Sequence, residues 1–106
     1  MVEQVIKLTQ GEDKVVERLL VDENIHYAHI ILPGHQSVPE HVTDAKSAYM
    51  SVIRGTLSIA LDDQGIHEYS AGTMIKIPID TRMSIHNKHD ETLELIVVKA
   101  PAPVLK

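Results

Sequence analysis

Apolar and polar side chains alternate with a period of two along much of this chain. In "SAYMSVI" (47–53) Ala48, Met50 and Val52 point one way, and in "RMSIH" (82–86) Met83 and Ile85 do the same, as in half-buried strands. Further β-branched runs are "VVERLLV" (15–21), "IHYAHIIL" (25–32), "TLSIALD" (56–62), "TMIKI" (73–77) and "LELIVVK" (93–99). They recur at intervals of roughly 8–12 residues, the spacing of a sandwich or barrel. Between them "PG" (33–34), "RG" (54–55), "DDQG" (62–65), "AG" (71–72) and "NKHD" (87–90) hold residues that tolerate positive φ or cap a bend. No helical period persists. "GEDKVVERLLVDE" (11–23) has the charges and leucines of a helix, but its paired valines and the strand-like segment after it favour a strand. The fold class is therefore all-β. The tail "APAPVLK" (100–106) reads as a strand exit followed by a loose or packed end.

A single domain over residues 1–106 accounts for the length, and no repeat, linker or low-complexity stretch divides it. Fifteen carboxylates against ten basic side chains leave a formal charge of -5. Such a field repels phosphate backbones and anionic membranes, so neither nucleic acid nor membrane is an expected partner. Cysteine is absent, which removes disulfides and thiolate chemistry. The opening "MVEQVIKLTQ" has no basic stretch followed by an apolar run, and no apolar stretch approaches the ~20 residues that span a bilayer. The expectation is a soluble, cytoplasmic protein. With no Phe or Trp and three Tyr, its core has to be built from Val, Ile, Leu, Met and Ala.

Two segments change the picture. "PGHQSVPEHVTDAKSAYMSVIRG" (33–55) and "GTMIKIPIDTRMSIHN" (72–87) together resemble the two signature stretches of the cupin family, and the likeness runs from Pro33 to about Lys99. It implies a double-stranded β-helix, a small barrel of jelly-roll type. Gly34, the Pro39 and His41 step and the turn glycine Gly55 match the first stretch; Gly72, Pro78 and Asn87 match the second. The family's metal ligands, by contrast, are mostly replaced. Counting forward from His41 puts Thr43 at the second histidine position, and counting back from Gly55 puts Ala48 at the glutamate position. Met83 stands where the last histidine belongs, and Asp80 where the family prefers glycine. A register shifted by one residue would instead place Glu40 and Val42 at the two histidine positions.

Cupins use three imidazoles and a carboxylate because that set holds a divalent transition metal and leaves positions open for substrate. His41, Thr43, Ala48 and Met83 offer one imidazole, a hydroxyl, a methyl and a thioether, which neutralise no charge. No metal or other cofactor is expected, with His41 the ligand if a metal binds at all. The resemblance then implies a barrel interior lined by His41, Thr43, Ala48, Met50, Met83 and Ile85. That interior is either an apolar pocket for a small organic molecule or a filled core. His41 is a candidate base or hydrogen-bonding imidazole in it, or else a residual side chain bonded to Thr43 or to backbone.

Other histidines offer less. His26 and His29 lie three apart in one strand and face opposite ways, so a regular strand cannot bring both to one ion. His86 and His89 read as a surface pair, and His35 sits in a loop placed to fold over the barrel mouth. No G-x-S-x-G, phosphate loop or cysteine nucleophile occurs. The pairs Asp62-Asp63 and Asp90-Glu91 fall in turns, and Arg82 is either a solvated cation or a contact for an anionic ligand. Three readings follow: a metal-free small-molecule binding cupin, a metal-dependent cupin enzyme of dioxygenase, isomerase or decarboxylase type with a non-standard ligand set, and a structural or regulatory dimer with a filled barrel. A homodimer is expected in any case, because "VVERLLV" and "LELIVVK" carry more apolar side chains than one small barrel covers.

Overall fold

All seven alternating runs form strands in the computed structural model, which describes residues 2–103. They are β1 (Val15–Val21), β2 (His26–Leu32), β4 (Ser47–Arg54), β5 (Thr56–Leu61), β7 (Met74–Pro78), β8 (Arg82–His86) and β9 (Leu93–Ala100). The segment 15–21 is a strand, as its valines require, and not a helix. Two strands have no counterpart among those runs: β3 (Ser37–Val42) and β6 (Ile66–Ser70). Both are sheet edges and mostly exposed, so selection for a buried face has left no alternation in them. Pro39 is tolerated in β3 for the same reason, since an edge strand need not donate on its outer side.

The strands make two antiparallel sheets, ordered β1-β2-β9-β4-β7 and β3-β8-β5-β6. Their facing sides enclose one apolar cluster. Ile30 and Leu32 come from β2, Ala48, Met50 and Val52 from β4, Leu57 and Ile59 from β5, Met83 and Ile85 from β8, and Leu93 and Leu95 from β9. Period-two alternation thus sends these side chains inward and their neighbours out.

Turn glycines behave as their sequence context suggests at Gly55 and Gly72, which have φ of 77° and 89°. The 33–36 turn differs, because there the left-handed residue is His35, at φ 65°. Gly34 serves close approach instead: a Cβ on it would lie 2.7 Å from the Asp90 carbonyl oxygen and 2.8 Å from that of His89. After β9 the chain turns back, and the Ala102 amide donates to the Asn24 carbonyl at 2.9 Å. Residues 104–106 of the tail lie outside the described residues.

Candidate functional site

The motif positions gather at the end of the barrel where β3 passes into β4 and β7 into β8. Thr43, at the second histidine position, is buried there at 2% exposure. Its hydroxyl donates to the Pro78 carbonyl at 2.6 Å and accepts the Thr81 amide at 3.0 Å. The two backbones are also joined directly, from the Thr43 amide to the Thr81 carbonyl and from the Asp80 amide to the Thr43 carbonyl. Thr81 Oγ1 adds a bond to the Pro78 carbonyl at 2.9 Å. Asp80 holds a φ of 61° in this turn, which explains why glycine is the easier residue there. A third tie comes from Lys99, whose Nζ donates to Asp44 Oδ1 at 2.8 Å and holds that carboxyl below the usual carboxylate range. The hydroxyl at the ligand position is therefore spent on a clasp between two loops.

Ala48 and Met50 are fully enclosed, and Met83 and Ile85 are 2% exposed; all four belong to the apolar core. His41 was expected inside with them and is not. A bulge between Val38 and His41 puts His41 opposite Met83 in register on the edge strand. There its ring is exposed, with Nδ1 3.2 Å from the Pro39 carbonyl. Of the two partners expected for a residual imidazole, Thr43 or backbone, His41 has the backbone one. An exposed imidazole, an engaged hydroxyl, a methyl group and a buried thioether do not fit a divalent transition metal. Among the described residues, no group of three or more His, Asp or Glu side chains is arranged to hold a metal ion.

The remaining sequence candidates are dispersed. His35 lies at the opposite end of the barrel from Thr43, so it cannot fold over the clasped mouth; its Nε2 is 2.7 Å from Asp90 Oδ1. A cavity of about 370 Å³ at that end is lined by His35, Gln36, Ser37, His86, Asn87 and Lys88. His89 pairs with Glu68 at 2.6 Å rather than with His86. Ser58 donates to the same Glu68 oxygen, and these bonds, Ser58 first, hold Glu68 below its ordinary range. Arg82 is occupied by the chain's own carboxylates, with Nη2 2.9 Å from Asp63 and Nε 3.8 Å from Glu40.

A family model described as the cupin domain matches residues 28–99. The chain belongs to the cupin family. An uncharacterized protein of Methanocaldococcus jannaschii is 34% identical over 104 residues, covering 97% of this chain and 89% of the relative. A crystal structure from that organism, described as an RmlC-like cupin family protein with a double-stranded β-helix fold, superposes with a TM-score of 0.93 at 34% identity, over 97% of this chain and 94% of the other. More distant likenesses show the fold alone. A double-stranded β-helix protein of Klebsiella pneumoniae is 17% identical with a TM-score of 0.76, over 95% and 91% of the two chains. The Cnp3 cupin domain of Schizosaccharomyces pombe is 14% identical with a TM-score of 0.73, over 81% and 59%.

This cupin carries its densest polar chemistry outside the barrel, on the outer face of the five-stranded sheet. His29 of β2 is fully buried there. Its Nδ1 lies 2.8 Å from Glu17 Oε2 of β1 and its Nε2 2.6 Å from Glu94 Oε2 of β9. Glu94 Oε1 accepts from Arg54 Nε at 2.9 Å, and Arg54 goes on to Glu12 Oε1 at 2.7 Å and to the Gly11 carbonyl. Thr9 donates both its amide and its hydroxyl to Glu17, at 3.0 and 2.8 Å. The Glu17 carboxyl is held below the usual range, chiefly by the His29 bond and then by Thr9. Sequence reasoning separated His29 from His26 correctly and missed its partners. The available signal was a single carboxylate on the outward side of each neighbouring apolar run, Glu17 in "VVERLLV" and Glu94 in "LELIVVK".

Proposed function

We propose that this cupin is a structural or regulatory module that self-associates as a two-fold dimer, its barrel serving as a filled core rather than a reaction chamber. The observation that carries the reading is the fate of the ligand positions. Thr43 is consumed by the clasp, Ala48 and Met83 by the core, and His41 by the surface. A small organic ligand beside His41, Met50 and Met83 would need His41 inside the barrel and room next to the two methionines. A metal-dependent reaction would need donors that these four positions do not supply.

The dimer surface is the outer face of the five-stranded sheet. One row across it reads Leu20, Tyr27, Val98, Tyr49 and Lys76, and the next ends in Ile96, Ser51 and Met74. Ile96, Val98 and Tyr49 are only half-buried and Met74 is exposed. A mainly apolar band spread over five strands suits a second sheet better than a small molecule, and a self-complementary surface closes on itself through a two-fold axis. The choice of a second copy as occupant rests on charge. Lys76 stands at the β7 edge, 5.8 Å over the Tyr49 ring, and Glu17 at the β1 edge. A two-fold axis along the strands lays the β7 edge of one copy over the β1 edge of the other, so that Lys76 approaches the part of Glu17 that stays open to solvent. Light scattering at micromolar concentration is expected to report a dimer, with Val98→Glu monomeric and its far-ultraviolet spectrum unchanged. A wild-type monomer would overturn the reading.

A further inference from the structure

The His29 network begins and ends on the same stretch of chain. From Thr9 it passes through Glu17, His29, Glu94 and Arg54 and returns to Gly11 and Glu12. Residues 9–12 thus lie as a strap whose two ends are fastened to three strands, β1, β9 and β4, through one buried imidazole. Carboxylate oxygens only accept hydrogen bonds, so contacts at both ring nitrogens require two protons among the imidazole and its two carboxylates. A neutral imidazole beside two ionised carboxylates has one proton too few. One of the short contacts would then set a bare nitrogen lone pair against an anion.

We infer that residues 9–12 form a latch on the outer face of the sheet, held closed by the additional proton on the Glu17, His29 and Glu94 trio and released when that proton is withdrawn. The charged groups facing the trio are Arg54 from β4 and Glu12 from the strap, and with the proton present the five groups sum to one negative charge. Without it the sum is two negative charges around a fully enclosed ring, a repulsion relieved when Glu17, which keeps some solvent contact, swings outward and takes Thr9 with it. The sign follows from the geometry: the latch is closed on the acid side of the trio's deprotonation and opens as pH rises through it. Its acid limit is set by Glu17 and Glu12, both held below the usual carboxylate range, Glu17 chiefly by His29 and Glu12 chiefly by Thr92 and then Arg54. His29 and Ile31, both fully buried, share this outer face. The inference stands apart from the proposed pairing, because its readouts are the strap's own signals whether or not the chain self-associates.

The test uses the full-length protein labelled with ¹⁵N. With the strap docked, the His29 ring is expected to give the two-proton imidazole pattern. Raising the pH should shift the ring nitrogens and the Thr9 and Gly11 amides together, with one midpoint. His29→Gln, which supplies an N–H to one carboxylate and never a charge, should be cut by trypsin after Lys7 and Lys14 about ten-fold faster than the wild type at fixed pH. Should His29→Gln fail to fold, Glu12→Ala removes the strap end alone and should speed the same cuts while the two-proton ring pattern persists. A one-proton ring under a docked strap, strap amides that do not move with the His29 ring nitrogens, or cleavage at the wild-type rate in the folded variant would each overturn the latch.

Discussion

Two regions of this cupin have exchanged roles. The barrel interior is where the family's motif places imidazoles and a carboxylate, yet here the enclosed motif positions hold a methyl group and a thioether, and the single polar one is locked into backbone bonds. The outer face of the sheet, which in an ordinary barrel meets solvent, holds a fully buried imidazole between two carboxylates and a guanidinium. A motif frame is thus not held only by its ligands. Gly34 is held by the approach of the 89–90 backbone, Gly55 by its left-handed turn, and Asn87 by donating to the Leu32 and Glu91 carbonyls. Those demands remain when the family's ligand side chains are replaced.

The contrast breaks most sharply at Ala48. Restoring the family's carboxylate with Ala48→Glu puts a charge into an apolar cluster with no partner, and urea unfolding is expected to show a loss above about 3 kcal/mol. A loss below about 1 kcal/mol would mean the interior has room and water, and the filled-core account would be wrong. His29→Ala comes next. It leaves Glu17 and Glu94 facing one another across a cavity, for about 2–3 kcal/mol, less than a wholly enclosed pair because both carboxylates keep some solvent.

At the clasp the informative variant is Thr43→Val. It keeps the shape and strands the Thr81 amide, for about 1–2 kcal/mol, whereas Thr43→Ser keeps the hydroxyl and should cost less than 1 kcal/mol by about the same scale. The smallest effect is the acid dependence of the outer face. Glu12 and Glu17 have folded-state values below their ordinary 4.5, so the unfolded chain binds protons first as pH falls. Their contribution is complete well above pH 4.5 and is lost as pH drops through the folded values, a loss that His29→Ala should reduce. Thermal midpoints measured from pH 7 downward read both effects.

The fold was legible where one face of a strand is buried. Ala48, Met50 and Val52, or Met83 and Ile85, announce both the strand and its inner side by alternation alone. The edge strands β3 and β6 were not, because exposure on both faces leaves no period to read. Of the site, the closing of the Ala48 and Met83 positions into an apolar interior was readable from residue type. The exposure of His41 was not: its register sets it opposite the enclosed Met83, and its ring nevertheless lies in solvent on the edge strand. Nor were the partners of Thr43 and His29, which lie 35 residues away at Pro78 and 65 away at Glu94. Such pairs follow from strand order and register, which local pattern does not specify.

The claim that the barrel is a core rather than a chamber is tested most directly at the methyl groups of Met50 and Met83, both enclosed at the former ligand site. Their ¹³C-methyl resonances can be followed by NMR while benzene, a probe that enters dry apolar cavities, is titrated into the protein. With a filled core both resonances stay in place up to the solubility of the probe. Saturable shifts at either methionine would contradict it and restore the barrel as a binding pocket.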